Sequence, residues 1–278
     1  MTMQQLDIPE LVRQFHRDGY LILRNVLPEE RIARLNLAVD ELLAGEAEAL
    51  SYNWYNSVER HSEFAGLIDE PALLPLMVNI LWYNIQLHIS HLTVRKPNPG
   101  DIRTDSQSFI NWHQDGPHPQ FPRIHGLSSI YYVKVGYILS DMSEPDRGNT
   151  KIIPGSHLKA DFAPVQMNVD VPVEGEMQVC GKSGDVFIFP QNLWHAGAPN
   201  RSGFTRRQLF IGYSPIWMRP IDYHKASAKM LEDASPIRRQ LLGDISSNCF
   251  KYYVPEDSMV PLKSLWLGAD PGQDVYSN

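Results

Sequence analysis

The chain has 278 residues, of which 43% are hydrophobic and 21% are charged, as in folded globular proteins and unlike disordered ones. Its formal net charge of -7 argues against nucleic acid or an anionic membrane as the main partner. No apolar run reaches the roughly 18 residues that a membrane-spanning helix needs, and no basic region followed by an apolar run opens the sequence. Cys180 and Cys249 are too few for a disulfide scaffold. We therefore expect free thiols and a cytoplasmic protein.

Helical periodicity dominates the N-terminal part of the chain, from about residue 8 to residue 82. A first helix should end at Gly19, because glycine readily adopts the left-handed conformation that terminates helices. A short strand at 20–24 should follow. A second helix is expected from Pro28, since proline fits the first turn of a helix. The last helix of this part is predicted over 71–82.

The segment from residue 46 to residue 70 interrupts these helices and has no clean period. Its mixture of aromatic and polar residues favours an irregular loop that covers the core. The alternative is a loop that contacts a substrate, because rigid aromatic side chains with polar tips suit small-molecule pockets. In that case Trp54 and Tyr55 would be contact residues.

Strand signals dominate from about residue 85 to residue 215. Runs rich in β-branched and aromatic residues, bounded by turn residues, predict strands at 85–95, 106–115, 130–139, 150–153, 186–189 and 207–213. Several short strands with turns between them favour a jelly roll. Residues 216–278 should be mixed helix and loop, with a helix at 227–242. We expect a single domain over 1–278 that is mainly β, with flanking helices.

A His-x-Asp motif, formed by His113 and Asp115, ends the second of these strands. Side chains two residues apart leave the same face of a strand, so an imidazole and a carboxylate can meet one metal ion. Two other copies of this spacing are not expected to bind a metal. His16/Asp18 lies where the first helix ends, and its two side chains would diverge there by about 200° around the helix axis. His61/Glu63 lies in a stretch without strand signals and is interpreted as solvated.

His195 is the predicted third metal ligand, since it follows a buried strand introduced by a Gly-Asp turn. Two histidines and one carboxylate, with coordination positions left open, are the ligand set of non-haem Fe(II) oxygenases. If the next turn is centred on residues 200–201, His195 and Arg206 pair across a hairpin. A guanidinium beside the metal would hold a carboxylate of a 2-oxo acid, whereas the neighbouring Arg207 would point to the opposite face.

Taken in order, these motifs resemble the phytanoyl-CoA dioxygenase (PhyH) family of Fe(II)/2-oxoglutarate-dependent oxygenases. The matching pieces span roughly residues 12–213: Phe15-His16-Arg17-Asp18-Gly19-Tyr20, Leu27-Pro28, Trp112-His113-Gln114-Asp115, Gly148-Asn149-Thr150, Pro154-Gly155-Ser156-His157, Gly184-Asp185-Val186 and Trp194-His195 with Arg206. The resemblance implies a double-stranded β-helix core of jelly-roll, cupin-like type with flanking helices. It also implies Fe(2+) held by His113, Asp115 and His195, with 2-oxoglutarate as a co-substrate whose far carboxylate meets Arg206. With O2, such an enzyme would hydroxylate a small organic molecule and release succinate and CO2.

The chain departs from the family pattern two residues after the distal histidine. That position often carries a small hydroxyl residue in the family, and here it is Gly197. Tyr137 is predicted to supply the missing contact to 2-oxoglutarate, and Leu92 to line the same cavity. A further implication concerns Asp115, because related halogenases replace this carboxylate with a small residue so that chloride can bind iron. The resemblance therefore implies hydroxylation or another oxidation.

The sequence gives candidate contact residues for the prime substrate but does not identify the substrate itself. Candidate contacts flank the metal motif or lie on the facing strand: Trp54, Tyr55, His118, Arg123 and Lys134. Of these, His118 and Arg123 would suit a carboxylate, phosphate or phosphonate group, the alternative being a solvated loop. The partner is expected to be a small molecule, and the protein a monomer or a homodimer.

Two rival functions come from other classes. A non-catalytic jelly-roll binding domain would leave Arg206 beside His195 without explanation. A cupin-type metalloenzyme that does not use 2-oxoglutarate would usually show His-x-His with a following Glu, a pattern that is absent around residue 113.

Overall fold

The structure, a computed structural model, describes residues 6–98, 111–115, 123–124, 127–169 and 171–268. Its helices are α1 (Ile8–Asp18), α2 (Glu29–Leu43), α3 (Ser62–Ala65), α4 (Leu74–Leu81), α5 (Ala228–Glu232) and α6 (Pro236–Leu241). Its strands are β1 (Leu21–Leu23), β2 (Ser51–Tyr55), β3 (Ile85–Arg95), β4 (Arg123–Ile124), β5 (Leu127–Ser128), β6 (Val133–Ile138), β7 (Thr150–Ile152), β8 (Met177–Gln178), β9 (Val186–Pro190), β10 (His195–Gly197) and β11 (Arg206–Pro215).

Six strands form a large antiparallel sheet in the order β1-β9-β6-β11-β3-β2. A smaller antiparallel sheet has the order β10-β7-β8, and β4 and β5 form a separate pair. Apolar side chains of both sheets pack together, since Ile152 of β7 belongs to the same buried cluster as Phe187 and Phe189 of β9. The two sheets therefore face each other, as in a jelly roll.

The two faces of the large sheet differ in chemistry because successive strand residues point to opposite sides. One face packs against the N-terminal helices, where Leu92, Val94 and Leu209 share the main core with Phe15 of α1 and Leu35 of α2. The opposite face turns toward the small sheet and carries polar residues at alternate positions of β3 and β11. This second face is the one that forms the site.

Most predicted elements are confirmed, with ends shifted by a few residues. The described helices and strands contribute similar numbers of residues, so the expectation of a mainly β protein holds for the core and not for the whole chain. None of the described helices combines the length and apolarity needed to cross a membrane. Of the strand predicted at 106–115, residues 106–110 lie outside the described residues, and the rest contributes only an isolated bridge at His113.

Three predictions about individual elements and their pairing are wrong. Residues 51–55 are not loop but the edge strand β2, paired with β3. The helix predicted at 227–242 is two short helices, because Pro236 begins a new helix that Ser235 caps through its hydroxyl. The hairpin expected after His195 does not form, since β10 pairs with β7 whereas β11 pairs with β3 and β6.

Gly19 ends α1 in the left-handed conformation, with φ of 78°, and offers a stability test. A Cβ at this position would collide with the ring of the buried His157 and approach Leu193 Cδ1 to 2.9 Å. Gly155 has a similar φ of 70° and open space around it. We expect Gly155→Ala to cost about 1 kcal/mol of the free energy of unfolding, as left-handed alanine does. Gly19→Ala should cost about 1–3 kcal/mol more, from overpacking.

Urea denaturation of the two variants measures this difference. Equal losses of stability in Gly19→Ala and Gly155→Ala would show that α1 can move away from His157 without cost.

Candidate metal centre

His113 and His195 are brought together by a backbone bridge. Each backbone N–H donates to the carbonyl oxygen of the other residue at 2.9 Å, so the segment 111–115 runs antiparallel to β10. Asp115 is fixed two residues further on, where its backbone N–H donates to the carbonyl of Gln191 at 2.8 Å. Main-chain hydrogen bonds thus set the positions of all three predicted ligands.

The imidazole tautomers follow from what each Nδ1 contacts. Nδ1 of His113 lies 2.6 Å from the carbonyl oxygen of Asn111, and Nδ1 of His195 lies 2.9 Å from that of Leu193. A carbonyl oxygen can only accept, so both Nδ1 atoms carry the proton and both Nε2 atoms present a lone pair. Histidine ligands of metals are commonly oriented in this way.

The two Nε2 lone pairs converge on the carboxylate. His113 Nε2 is 3.9 Å from Oδ1 of Asp115, and His195 Nε2 is 3.6 Å from Oδ2. One ligand atom from each residue lies within 4.8 Å of the other two. Three electron-rich groups face one point and His113 remains partly exposed, which fits a cation with open coordination positions. Two imidazoles and one carboxylate match Fe(II) in particular.

Lys134 of β6 adds a positive charge beside these groups. Its Nζ lies 2.6 Å from Oδ2 of Asp115. Burial alone would raise the pKa of Asp115, but Lys134 and the two imidazoles outweigh burial and hold that pKa below its usual range. Burial also lowers the pKa of His195 to about 3. At neutral pH the site therefore holds a carboxylate and a neutral His195, the protonation states that bind a metal.

A cavity of about 380 Å³ opens from these residues between the two sheets. The rings of Tyr132, Phe189 and Phe210 line its walls. Nζ of Lys134 lies 5.8 Å from the ring centre of Phe189 and 5.9 Å from that of Phe210. The ring of Tyr55 stacks on His91 with 4.3 Å between centres. Mostly apolar walls with a few convergent polar groups are typical of small-molecule sites.

Arg206 lies at the end of this cavity with only 5% of its surface exposed. Its guanidinium donates to the hydroxyl of Thr93 and to the side-chain carbonyl of Gln208. Arg207 points to the opposite face, where it donates to Asp40 of α2 at 2.6 Å. The predicted side for each arginine therefore agrees with the structure, although strand alternation in β11 produces it and not a hairpin with His195.

Two other predicted site residues, Lys134 and Tyr55, also line the cavity. Leu92, Trp54 and Tyr137 do not, which corrects their predicted roles. They belong to the core between the large sheet and the helices. The hydroxyl of Tyr137 donates to the carbonyl of Leu67 at 3.3 Å, and the indole of Trp54 donates to Glu46 at 3.0 Å. Alternation along each strand turns these side chains away from the metal centre.

The remaining two candidates cannot be placed. His118 lies outside the described residues, and only the backbone of Arg123 is described, as part of β4.

Sequence reasoning missed the polar row along β3. His91, Thr93 and Arg95 stand two residues apart and all line the cavity, whereas the residues between them are apolar and buried. This alternation is visible in the sequence and is the signal that could have identified β3 as a cavity wall.

Comparison with known proteins agrees with this geometry. The profile of the phytanoyl-CoA dioxygenase (PhyH) family matches residues 15–208. Dioxygenase andF of Emericella variicolor is 24% identical over 270 residues, which cover 87% of this chain and 89% of that relative. The ectoine dioxygenase of Sphingopyxis alaskensis is 26% identical over 250 residues, covering 76% of this chain and 78% of the relative.

Solved structures share the fold. HygX from Streptomyces hygroscopicus, with nickel and 2-oxoglutarate bound, superposes with a TM-score of 0.64 at 18% identity over 80% of this chain and 92% of HygX. The epimerase SnoN, in complex with Fe3+, alpha ketoglutarate and nogalamycin RO, gives a TM-score of 0.57 at 18% identity over 75% of this chain and 84% of SnoN. The jelly-roll expectation is confirmed at this level. The chain belongs to the phytanoyl-CoA dioxygenase (PhyH) family and is an Fe(II)- and 2-oxoglutarate-dependent dioxygenase.

Proposed function

We propose that this dioxygenase hydroxylates a small organic molecule, with His113, Asp115 and His195 as its iron ligands. The observation that carries this assignment is the convergence of two Nε2 lone pairs and one carboxylate at the wall of a cavity. When bound, iron and 2-oxoglutarate would supply the oxidising chemistry with O2 as the oxidant: one oxygen atom would enter succinate, formed together with CO2, and the other would enter the hydroxylated product. Arg206 holds the far carboxylate of 2-oxoglutarate through a charge-assisted hydrogen bond.

The protein's own groups prepare the site for that chemistry. The carbonyls of Asn111 and Leu193 hold the two imidazoles in the metal-binding tautomer. Lys134 restrains Asp115 through one carboxylate oxygen and keeps it ionised. Phe189 and Phe210 cover one wall of the cavity, which keeps water away from the reacting groups.

The prime substrate binds at a polar wall of the cavity that does not include Arg206. Asn53, Tyr55 and His91 form this wall, and Oδ1 of Asn53 lies 3.1 Å from Nε2 of His91. Ile221 adds an apolar contact. Such a wall suits a small molecule with polar groups on a carbon skeleton. A panel of candidate compounds, scored by succinate release, identifies the substrate.

We further propose that the chain forms a single domain, that the protein is cytoplasmic, and that it is a monomer or a homodimer.

Hydroxylation, as opposed to halogenation, is the expected outcome because Asp115 supplies the third ligand position. Wild-type enzyme given its substrate and excess chloride should yield only oxygenated or desaturated product by mass spectrometry. In Asp115→Gly, hydroxylation should fall to background, and chloride or bromide should restore metal binding in part. A chlorinated product from the wild-type protein would remove Asp115 from the ligand set.

A further inference from the structure

Arg95 stands directly opposite Arg206 in the structure. The two residues are paired across β3 and β11, and both side chains line the same end of the cavity. Neighbouring positions of an antiparallel pair have Cβ atoms about 4.5–5.5 Å apart. Two like charges so close, away from bulk water, repel each other unless an anion lies between them.

Several hydrogen-bond donors at this end of the cavity have no acceptor. They are buried and lack a partner among the described residues: Nε and Nη1 of Arg95 and Nε of Arg206. An unsatisfied buried donor costs free energy, and most for a charged group. Burial lowers the pKa of Arg95 only to about 10, so its guanidinium stays charged at neutral pH.

No carboxylate of the described cavity wall pairs with Arg95 or Arg206. Among the cavity-lining residues that the structure describes, Asp115 is the only acid, and it is paired with Lys134. The two arginines therefore leave a surplus of positive charge at one end of the cavity. That surplus matches a carboxylate of a bound ligand, which accepts several N–H donors at once.

Gly197 leaves the space that the guanidinium of Arg95 occupies at this end of the cavity. A Cβ at position 197 would lie 2.6 Å from Nη1 of Arg95, so the guanidinium fills the space into which a side chain at 197 would project. This is the position, two after His195, where the family often carries a small hydroxyl residue. The absence of a side chain at 197 thus makes room for the guanidinium of Arg95.

We propose that Arg95 is a second holder of the far carboxylate of the co-substrate, taking the place of the missing hydroxyl and selecting 2-oxo dicarboxylic acids over 2-oxo monocarboxylic acids. The inference rests on the proposed role of Arg206. It assigns the surplus charge to the co-substrate and not to the prime substrate, because Arg95 faces Arg206 and Gly197.

The affinity of Mn(II)-loaded protein for 2-oxoglutarate, measured by calorimetry without O2, tests this assignment independently of turnover. Arg95→Met should weaken 2-oxoglutarate binding by about 10- to 100-fold, the effect of losing one charged hydrogen bond. Binding of 2-oxobutyrate, which lacks the far carboxylate, should stay within about twofold, a difference smaller than any charged contact gives. Lys96→Met is the matched control, because Lys96 pairs with the exposed Glu48 and its loss should change neither affinity.

Gly197→Ser gives a second test whose sign depends on Arg95. In the wild-type background the serine Cβ would push the guanidinium aside, so 2-oxoglutarate should bind more weakly. In the Arg95→Ala background the same substitution should strengthen binding, because space is free and a hydroxyl becomes available. Thermal unfolding of each variant identifies any that fail to fold, and Arg95→Lys then replaces Arg95→Met.

The possible results separate the inference from the function on which it rests. If Arg206→Met weakens 2-oxoglutarate binding but Arg95→Met does not, or if Gly197→Ser acts with the same sign in both backgrounds, the role of Arg95 is wrong and that of Arg206 stands. If neither arginine affects binding, the assignment of this end of the cavity to 2-oxoglutarate fails as well.

Discussion

Replacing His195 with alanine should abolish 2-oxoglutarate turnover and metal binding together. His195 supplies one of the three converging donors among the described residues, and loss of even an outer-shell partner of a metal ligand typically costs about 10–100-fold in affinity. Loss of the ligand itself should exceed that range. Metal content after anaerobic loading with Fe(II), together with succinate release, measures both effects.

His91→Ala is the matched control for this prediction. His91 lines the same cavity, and burial lowers its pKa to about 3, but its ring contacts Asn53 and Tyr55 and lies outside the group of converging donors. We expect His91→Ala to keep one bound iron per chain while changing the affinity for the prime substrate. Full iron content in His195→Ala, or its loss in His91→Ala, would require a different ligand set.

Arg206→Ala should raise the concentration of 2-oxoglutarate needed for half-maximal turnover steeply. Breaking a buried charged pair costs about 2–4 kcal/mol, which corresponds to roughly 30- to 1000-fold in affinity. The guanidinium is nearly inaccessible to solvent, so water cannot take over its contact. The apparent KM for 2-oxoglutarate, measured at saturating Fe(II), gives the size of the effect.

Arg207→Ala provides the comparison, since it removes the same charge one residue further along β11. Arg207 contacts Asp40 and Asn36 of α2 on the far side of the sheet, and exposed pairs of this kind contribute about 0–1 kcal/mol to stability. Its loss should leave the KM for 2-oxoglutarate nearly unchanged. A larger effect of Arg207→Ala than of Arg206→Ala would reverse the assignment of the two faces.

Local sequence patterns determined the elements and the candidate ligands. Helical periodicity located α1 and α2, strand composition located β3, β6 and β9, and the His-x-Asp spacing singled out His113 and Asp115. These inferences succeeded because each depends on neighbours in sequence: side-chain direction repeats every 3.6 residues in a helix and every two in a strand. The order of the motifs was also enough to indicate the family.

Only the tertiary structure decided which strands are partners and which faces meet. His195 and Arg206 lie in different sheets, although a turn between them suggested a hairpin. Tyr137 and Leu92 lie on the side of the sheet that faces the helices. A bulge in β3 opposite Gly212 and Tyr213 shifts the strand register by one residue, so the core-facing positions before the bulge, such as Leu87, and after it, such as Leu92, are not separated by an even number of residues.

The encounter of Arg95 with Gly197 joins residues that are far apart in the chain. Strand pairing is settled by burial and hydrogen bonding across the whole sheet, and a shift of one residue exchanges the two faces. Chemistry-bearing residues can therefore be read from the sequence, but their assembly into one site is a property of the folded chain.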